Sequence, residues 1–214
     1  MRTPQPCRSA GFTLIELLIV IGIVGLLAAA LLPNVLGAQT EGEITETRAR
    51  MMFLAQAAKA YERKSDAGGY PPDQFGNLKT TIKADQVNTG IECLVIALCS
   101  APLGRDTLAD HLDWLGNTDG DKAGTSIPKL GHQEKMEVLD AWGTPIAYFC
   151  SANGGYERKQ RVQLETGDVE SAHAIKDPKS GKYLAPGKFQ LVSAGPDTLF
   201  NTDDDVTHPP TVAE

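Results

Sequence analysis

Two places in this 214-residue chain put carboxylates where they need help. The first is Glu16, inside an apolar block, Phe12–Leu32, that is otherwise broken only by Thr13, Gly22 and Gly25. A charge at mid-bilayer costs roughly 2.5–3.5 kcal/mol on insertion scales. Glu16 sits near one end of the block, where that cost is lower, but an acid there still calls for a partner. A free α-amine would serve, and cleavage after Gly11 creates one at Phe12. Within one chain that amine leads away along its own helix, so a neighbouring chain staggered along the axis is the better donor. The second place is Ser193–Val206, where Asp197, Asp203, Asp204 and Asp205 put four carboxylates within nine residues. If these face inward, their mutual repulsion calls for a cation. Calcium, which takes about 6–8 oxygen ligands, suits the chemistry. No His or Cys interleaves, which argues against zinc. On composition alone, a solvated acidic turn is an equal reading.

The rest of the chain carries no catalytic constellation. His111, His132, His173 and His208 have no metal-ligand spacing, and there is no glycine-rich phosphate loop, no G-x-S-x-G and no triad. The expectation is a protein that is not an enzyme. Asn117-Thr118-Asp119-Gly120-Asp121 looks superficially like a calcium loop, but Gly120 arrives too early for the EF-hand template and no closing Glu follows. It reads as a solvated turn. Of the four cysteines, Cys7 lies ahead of the apolar block. If Cys93 and Cys99 share a helix, their axial separation of about 9 Å is too great for a bridge. Any disulfide therefore involves Cys150, and buried free thiols are an equal expectation. A formal charge of −7 argues against nucleic acid as the partner.

These residues need elements to hold them. From Leu17 to Thr40 the chain has 24 residues without a charge, enough for a helix to span a bilayer. Arg2 and Arg8 precede the block, and Glu41, Glu43 and Glu46 follow it. This orients the N-terminus toward the cytoplasm and exports the rest. Helical spacing continues through Ile44, Met51, Leu54, Ala55, Ala58 and Tyr61 until Gly68-Gly69 and Pro71-Pro72 stop it. Phe12 to Lys64 makes one helix of roughly 80 Å, softened at Pro33, Gly37 and Gly42. Residues 65–214 then form a globular head. Gly90–Ser100 and Asp106–Leu115 read as short helices, Pro145–Cys150 and Phe189–Ser193 as strands, and Glu157–Lys182 as a polar hairpin or insertion. Helices first and strands afterwards predict an α+β head with a small antiparallel sheet.

Gly11-Phe12-Thr13-Leu14-Ile15-Glu16, with its basic leader and apolar run, resembles the type III signal of type IV prepilins and type II secretion pseudopilins. Asp140-Ala141-Trp142-Gly143-Thr144-Pro145 is similar to the major pseudopilin's step into its sheet. Ser193–Val206 is similar to that family's C-terminal calcium loop. The resemblance implies a type IV pilin-like fold with three parts: leader 1–11, long helix 12–64 with span 12–33, and periplasmic head 65–214 closed by a loop at 193–206. It implies that a prepilin peptidase cuts between Gly11 and Phe12 and methylates Phe12, that Glu16 pairs with a neighbour's N-terminus, and that Pro33 kinks the helix. Asp197, Asp204 and Asp205 would bind calcium, with Asp203 a weaker candidate. Backbone carbonyls near Ser193, Thr198 or Asn201 could complete the shell.

The implied function is a structural subunit of a type II secretion pseudopilus. It would wait in the bacterial inner membrane and polymerise as a helical homo-oligomer with minor pseudopilins, an inner-membrane platform protein and an assembly ATPase. The alternatives are a type IV pilin for adhesion, motility or DNA uptake, and a membrane-anchored calcium-binding domain that never polymerises. The head is larger than is usual for the family, with extra sequence around 78–129 and 157–182.

Overall fold

The computed structural model describes residues 13–64, 68–78, 82–84, 86–103 and 108–211. Helix α1 spans Leu14–Lys64 and belongs to two compact units, 1–41 and 42–214. Alanine, leucine and other good helix formers fill it, and Arg63 and Lys64 complement its C-terminal carbonyls. The helical backbone is continuous through Pro33, Gly37 and Gly42. In the first unit, Leu14, Ile15, Leu17, Leu18 and their neighbours up to Leu27 are exposed. Among the described residues, no helix is long and apolar enough to cross a membrane. The expected span, 12–33, includes Phe12 and side chains from residue 30 onward that lie outside the described set.

In the second unit the expected stripe of α1 turns inward: Met51, Leu54, Ala55 and Ala58 are buried, with Ile44 and Tyr61 partly buried beside them. Thr47 and Arg50 are buried on the same stripe, which an apolar pattern does not reveal. Helix α2, Thr89–Ser100, is buried over Gly90–Cys99 and ends before Pro102. A helix apolar on every side belongs inside a core.

The expected helix over 106–115 is corrected. Residues 104–107 lie outside the described set. Beyond them the chain makes two single 3-10 turns, Leu108–Asp110 and Leu112–Trp114. His111 between them leaves the helical region, at φ −123° and ψ 53°, and its ring stacks on Trp114 at 3.9 Å. Leu108 is buried but Leu112 is exposed, so the three leucines do not share a face. Strand β1 (Leu115–Gly116) then pairs antiparallel with β2 (Glu137–Val138).

Strand β3 is Ala147–Cys150, and β4 (Gln160–Gln163) pairs with β5 (Val169–Ala172) as an antiparallel hairpin. This settles the 157–182 segment as a hairpin with its loop. Strand β6 (Phe189–Ser193) lies between β3 and β7 (Val206–His208), antiparallel to both, with Tyr148 opposite Leu191 and Ser193 opposite Val206. Strands β3 and β6 are buried along their whole length because the sheet has cover on both faces. Tyr148, Cys150, Phe189 and Leu191 join the core built with α1 and α2. Ala147, Phe149 and Val192 point the other way, into a second core with Val162, Leu164, Ala172 and Phe200. The β4–β5 hairpin is therefore the wall of that second core. Cys93, Cys99 and Cys150 are all buried, and none of the three is in a disulfide.

Candidate functional site

Thr13 stands one residue before α1, and Thr13-x-x-Glu16 forms a capping box. The Thr13 N–H and hydroxyl both donate to Glu16 Oε2, at 2.8 and 2.7 Å, and the Glu16 N–H donates back to Thr13 Oγ1 at 3.3 Å. Glu16 thus has a partner in its own chain, one that the T-x-x-E spacing signals and that a search for a partner in a neighbouring chain misses. Both donors use one oxygen, so the carboxylate keeps capacity for a further donor. The leader Met1–Gly11 and Phe12 lie outside the described residues. Pro33 lies within the helical backbone, and its side chain is likewise outside the described set.

Asp140-Ala141-Trp142-Gly143-Thr144-Pro145 is a tight turn tied to α1. Asp140 Oδ1 accepts the N–H groups of Trp142 and Thr144, at 3.0 and 2.9 Å. Gly143 sits at φ +84°, a region that favours glycine. From α1, Arg50 donates to the carbonyls of Leu139 and Asp140, Thr47 Oγ1 accepts the Ala141 N–H, and Glu43 accepts the Trp142 indole N–H at 2.9 Å. The other carboxylate oxygen, Asp140 Oδ2, accepts the Ser193 hydroxyl at 2.7 Å. Asp140 therefore joins the turn to the last residue of β6, where the acidic loop begins. Burial raises its pKa, against the pull of these donors and of Arg50.

The acidic stretch is the β6–β7 connection. Gly195 has φ +70°, and a Cβ there would meet the Asp204 carbonyl oxygen at 2.3 Å, so only glycine fits. The Asp197 N–H donates to Asp204 Oδ2 at 3.1 Å, and the Thr202 hydroxyl donates to Asp204 Oδ1 at 2.6 Å. Burial opposes ionisation of Asp204, but these donors outweigh it and hold its carboxyl below the usual range. Asp205 Oδ2 accepts the Asn201 N–H at 3.0 Å, while its Oδ1 is buried without a hydrogen-bond partner. Burial, with the charges of Asp204 and Asp197, pushes Asp205 up to about 6. Asp197 and Asp203 are exposed. The all-oxygen donors and the orphaned Asp205 Oδ1 suit the chemistry of calcium, but among the described residues the three carboxylates that come within 4.8 Å of one another are Glu92, Asp119 and Glu137, not those of this loop.

The prokaryotic N-terminal methylation motif matches residues 7–32, the stretch that holds Gly11, Phe12 and Glu16. The chain is 35% identical to type II secretion system core protein G of Pseudomonas aeruginosa over 151 residues, 71% of this chain and 80% of that protein. It is 24% identical to the Escherichia coli protein of the same name over 201 residues, 94% of this chain and 91% of that protein. Against the type IV wide pilus major component PilA4 of Thermus thermophilus it is 39% identical over 82 residues, 38% of this chain and 60% of that one. No solved structure matches the chain. At 35% identity over 71% of this chain and 80% of the Pseudomonas protein, the chain belongs to the type II secretion system core protein G family.

Proposed function

We propose that this chain is the building subunit of a type II secretion pseudopilus, anchored in the inner membrane by the first half of α1 until it is assembled. A prepilin peptidase cuts between Gly11 and Phe12 and methylates the new terminus. An assembly ATPase and an inner-membrane platform protein then extract subunits into a periplasmic filament with minor pseudopilins. One observation carries the reading: within the stretch matched by the methylation motif, a capped Glu16 heads a run of exposed apolar side chains from Leu14 to Leu27. Such a face is stable only in lipid or against other copies of itself. Glu16 keeps its Thr13 bonds and accepts the Phe12 amine of a neighbouring chain. On the same reading the β6–β7 loop holds calcium through Asp197, Asp204 and Asp205, with Asp203 secondary and backbone carbonyls completing the shell. The orphaned Asp205 Oδ1 supports this.

The test is co-expression with a prepilin peptidase and mass spectrometry of the product. The expected N-terminus is methylated Phe12. The Glu16→Ala chain should be cut and membrane-inserted but should not polymerise. Retention of the first eleven residues, or normal filaments from Glu16→Ala, would sink the reading.

A further inference from the structure

Away from the β6–β7 loop, the head buries a second set of acids. Glu92 lies in the first turn of α2, an otherwise apolar helix, and is 0% exposed. Glu137 lies in β2 and is also 0% exposed. Asp119 comes from the 117–121 turn, which is shaped by the Gly120 N–H donating to Asn117 Oδ1 at 2.8 Å. Each of the three brings a carboxylate oxygen within 4.8 Å of the other two. The turn was expected to be solvated. Instead, Asp119 and Asp121 are half-buried against these glutamates.

The protein's own positive charge there is Lys135, 2% exposed, which pairs with Glu92 at 3.5 Å and with Asp121. Glu137 is not among these pairs. Glu137 Oε2 accepts the Thr118 N–H at 2.9 Å, but its Oε1 is buried with no hydrogen bond. A fully buried carboxylate oxygen without a donor, inside an acidic cluster, lacks a positive partner.

The donors are all oxygen, which selects a hard cation. Calcium–oxygen bonds of about 2.3–2.6 Å place oxygens on opposite sides of one ion about 4.6–5.2 Å apart, so three oxygens within 4.8 Å can share it. Magnesium, at about 2.0–2.1 Å, needs a tighter set. We infer that Glu92, Asp119 and Glu137 form a calcium site that pins the 117–121 turn to α2 and β2, separate from any ion in the β6–β7 loop.

The experiment uses the full chain in detergent, stripped with chelator and titrated with calcium by calorimetry. Four proteins are compared: the parent chain, Glu137→Gln, a loop variant carrying Asp204→Asn and Asp205→Asn, and the loop variant with Glu137→Gln added. The loop variant should still bind one calcium, and adding Glu137→Gln to it should weaken that binding at least about tenfold. Glu137→Gln alone should bind one calcium fewer than the parent, which keeps the test open if the loop variant misfolds. A loop variant that binds no calcium while keeping its circular dichroism would overturn the inference, and so would a Glu137→Gln stoichiometry equal to the parent's. If the parent binds a single ion that Glu137→Gln removes, this site stands and the loop site falls.

Discussion

Asp140→Ala should be among the most damaging single changes in the head. The carboxylate accepts three donors: the Trp142 N–H, the Thr144 N–H and the Ser193 hydroxyl. Thr144 and Ser193 are buried, at 1% and 0% exposure, so water cannot replace the lost acceptor. A buried donor left unsatisfied costs about 1–3 kcal/mol, giving about 2–6 kcal/mol for the two. Removing a carboxyl whose burial already opposes its ionisation returns part of that, so the expectation is about 3 kcal/mol. For a domain of this size, that corresponds to a fall of about 6–12 °C in Tm. Thermal melts of the 42–214 unit, followed by circular dichroism, read it directly. Asp140→Asn is the control. It keeps one oxygen for the two N–H groups and offers its amide to Ser193 Oγ, so it should lose only about 1 kcal/mol. An alanine variant within about 1 kcal/mol of the parent would refute the idea that this carboxylate holds the turn and β6 together.

Arg158→Ala should destabilise the head by about 2 kcal/mol at pH 7, because it leaves Asp73, 1% exposed, without its 2.9 Å ion pair. Burial already raises the Asp73 pKa and Arg158 pulls it back, so the variant's carboxyl rises further. Lowering the pH neutralises that carboxyl, so the gap between parent and variant should narrow from pH 7 to pH 5. A constant gap contradicts the argument. Chelating calcium should lower the Tm, since an ion at a hundredfold excess over its Kd adds about 2.7 kcal/mol. An unchanged melt with and without the metal would remove both proposed ion sites. Burial pushes the Cys99 thiol up to about 11, leaving roughly one thiolate in a thousand at pH 8. Cys93, Cys99 and Cys150 should therefore resist maleimide until the head unfolds, and rapid labelling of the native protein counts against the packing described.

Much of this was legible because it rests on local pattern. The end of α1 at Lys64 followed from the glycine and proline run behind it, and the strand Phe189–Ser193 followed from its apolar Phe189, Leu191 and Val192. What was hidden depends on contacts far apart in sequence. Glu92 and Glu137 are ordinary acids until α2 and β2 bring them together, 45 residues apart by number. The same holds for Asp140 and Ser193, which belong to two separate motifs and meet only through the sheet. The helix expected over 106–115 failed because leucine spacing alone does not report that His111 turns the chain. Strands of two or three residues, such as β1, β2 and β7, carry too short a pattern to read.

The Thr13–Glu16 box bears on how such a polymer grows. A lone chain is not waiting with a stranded acid, since its carboxylate is already satisfied at home. On the proposed reading, docking another copy brings its charged amine to the oxygen that Thr13 leaves open, so the acid would fix the stagger without which copies do not polymerise. Most of the gain in elongation would then come from covering the greasy flank between Leu14 and Leu27, and uncovering it again is the cost a departing subunit would meet.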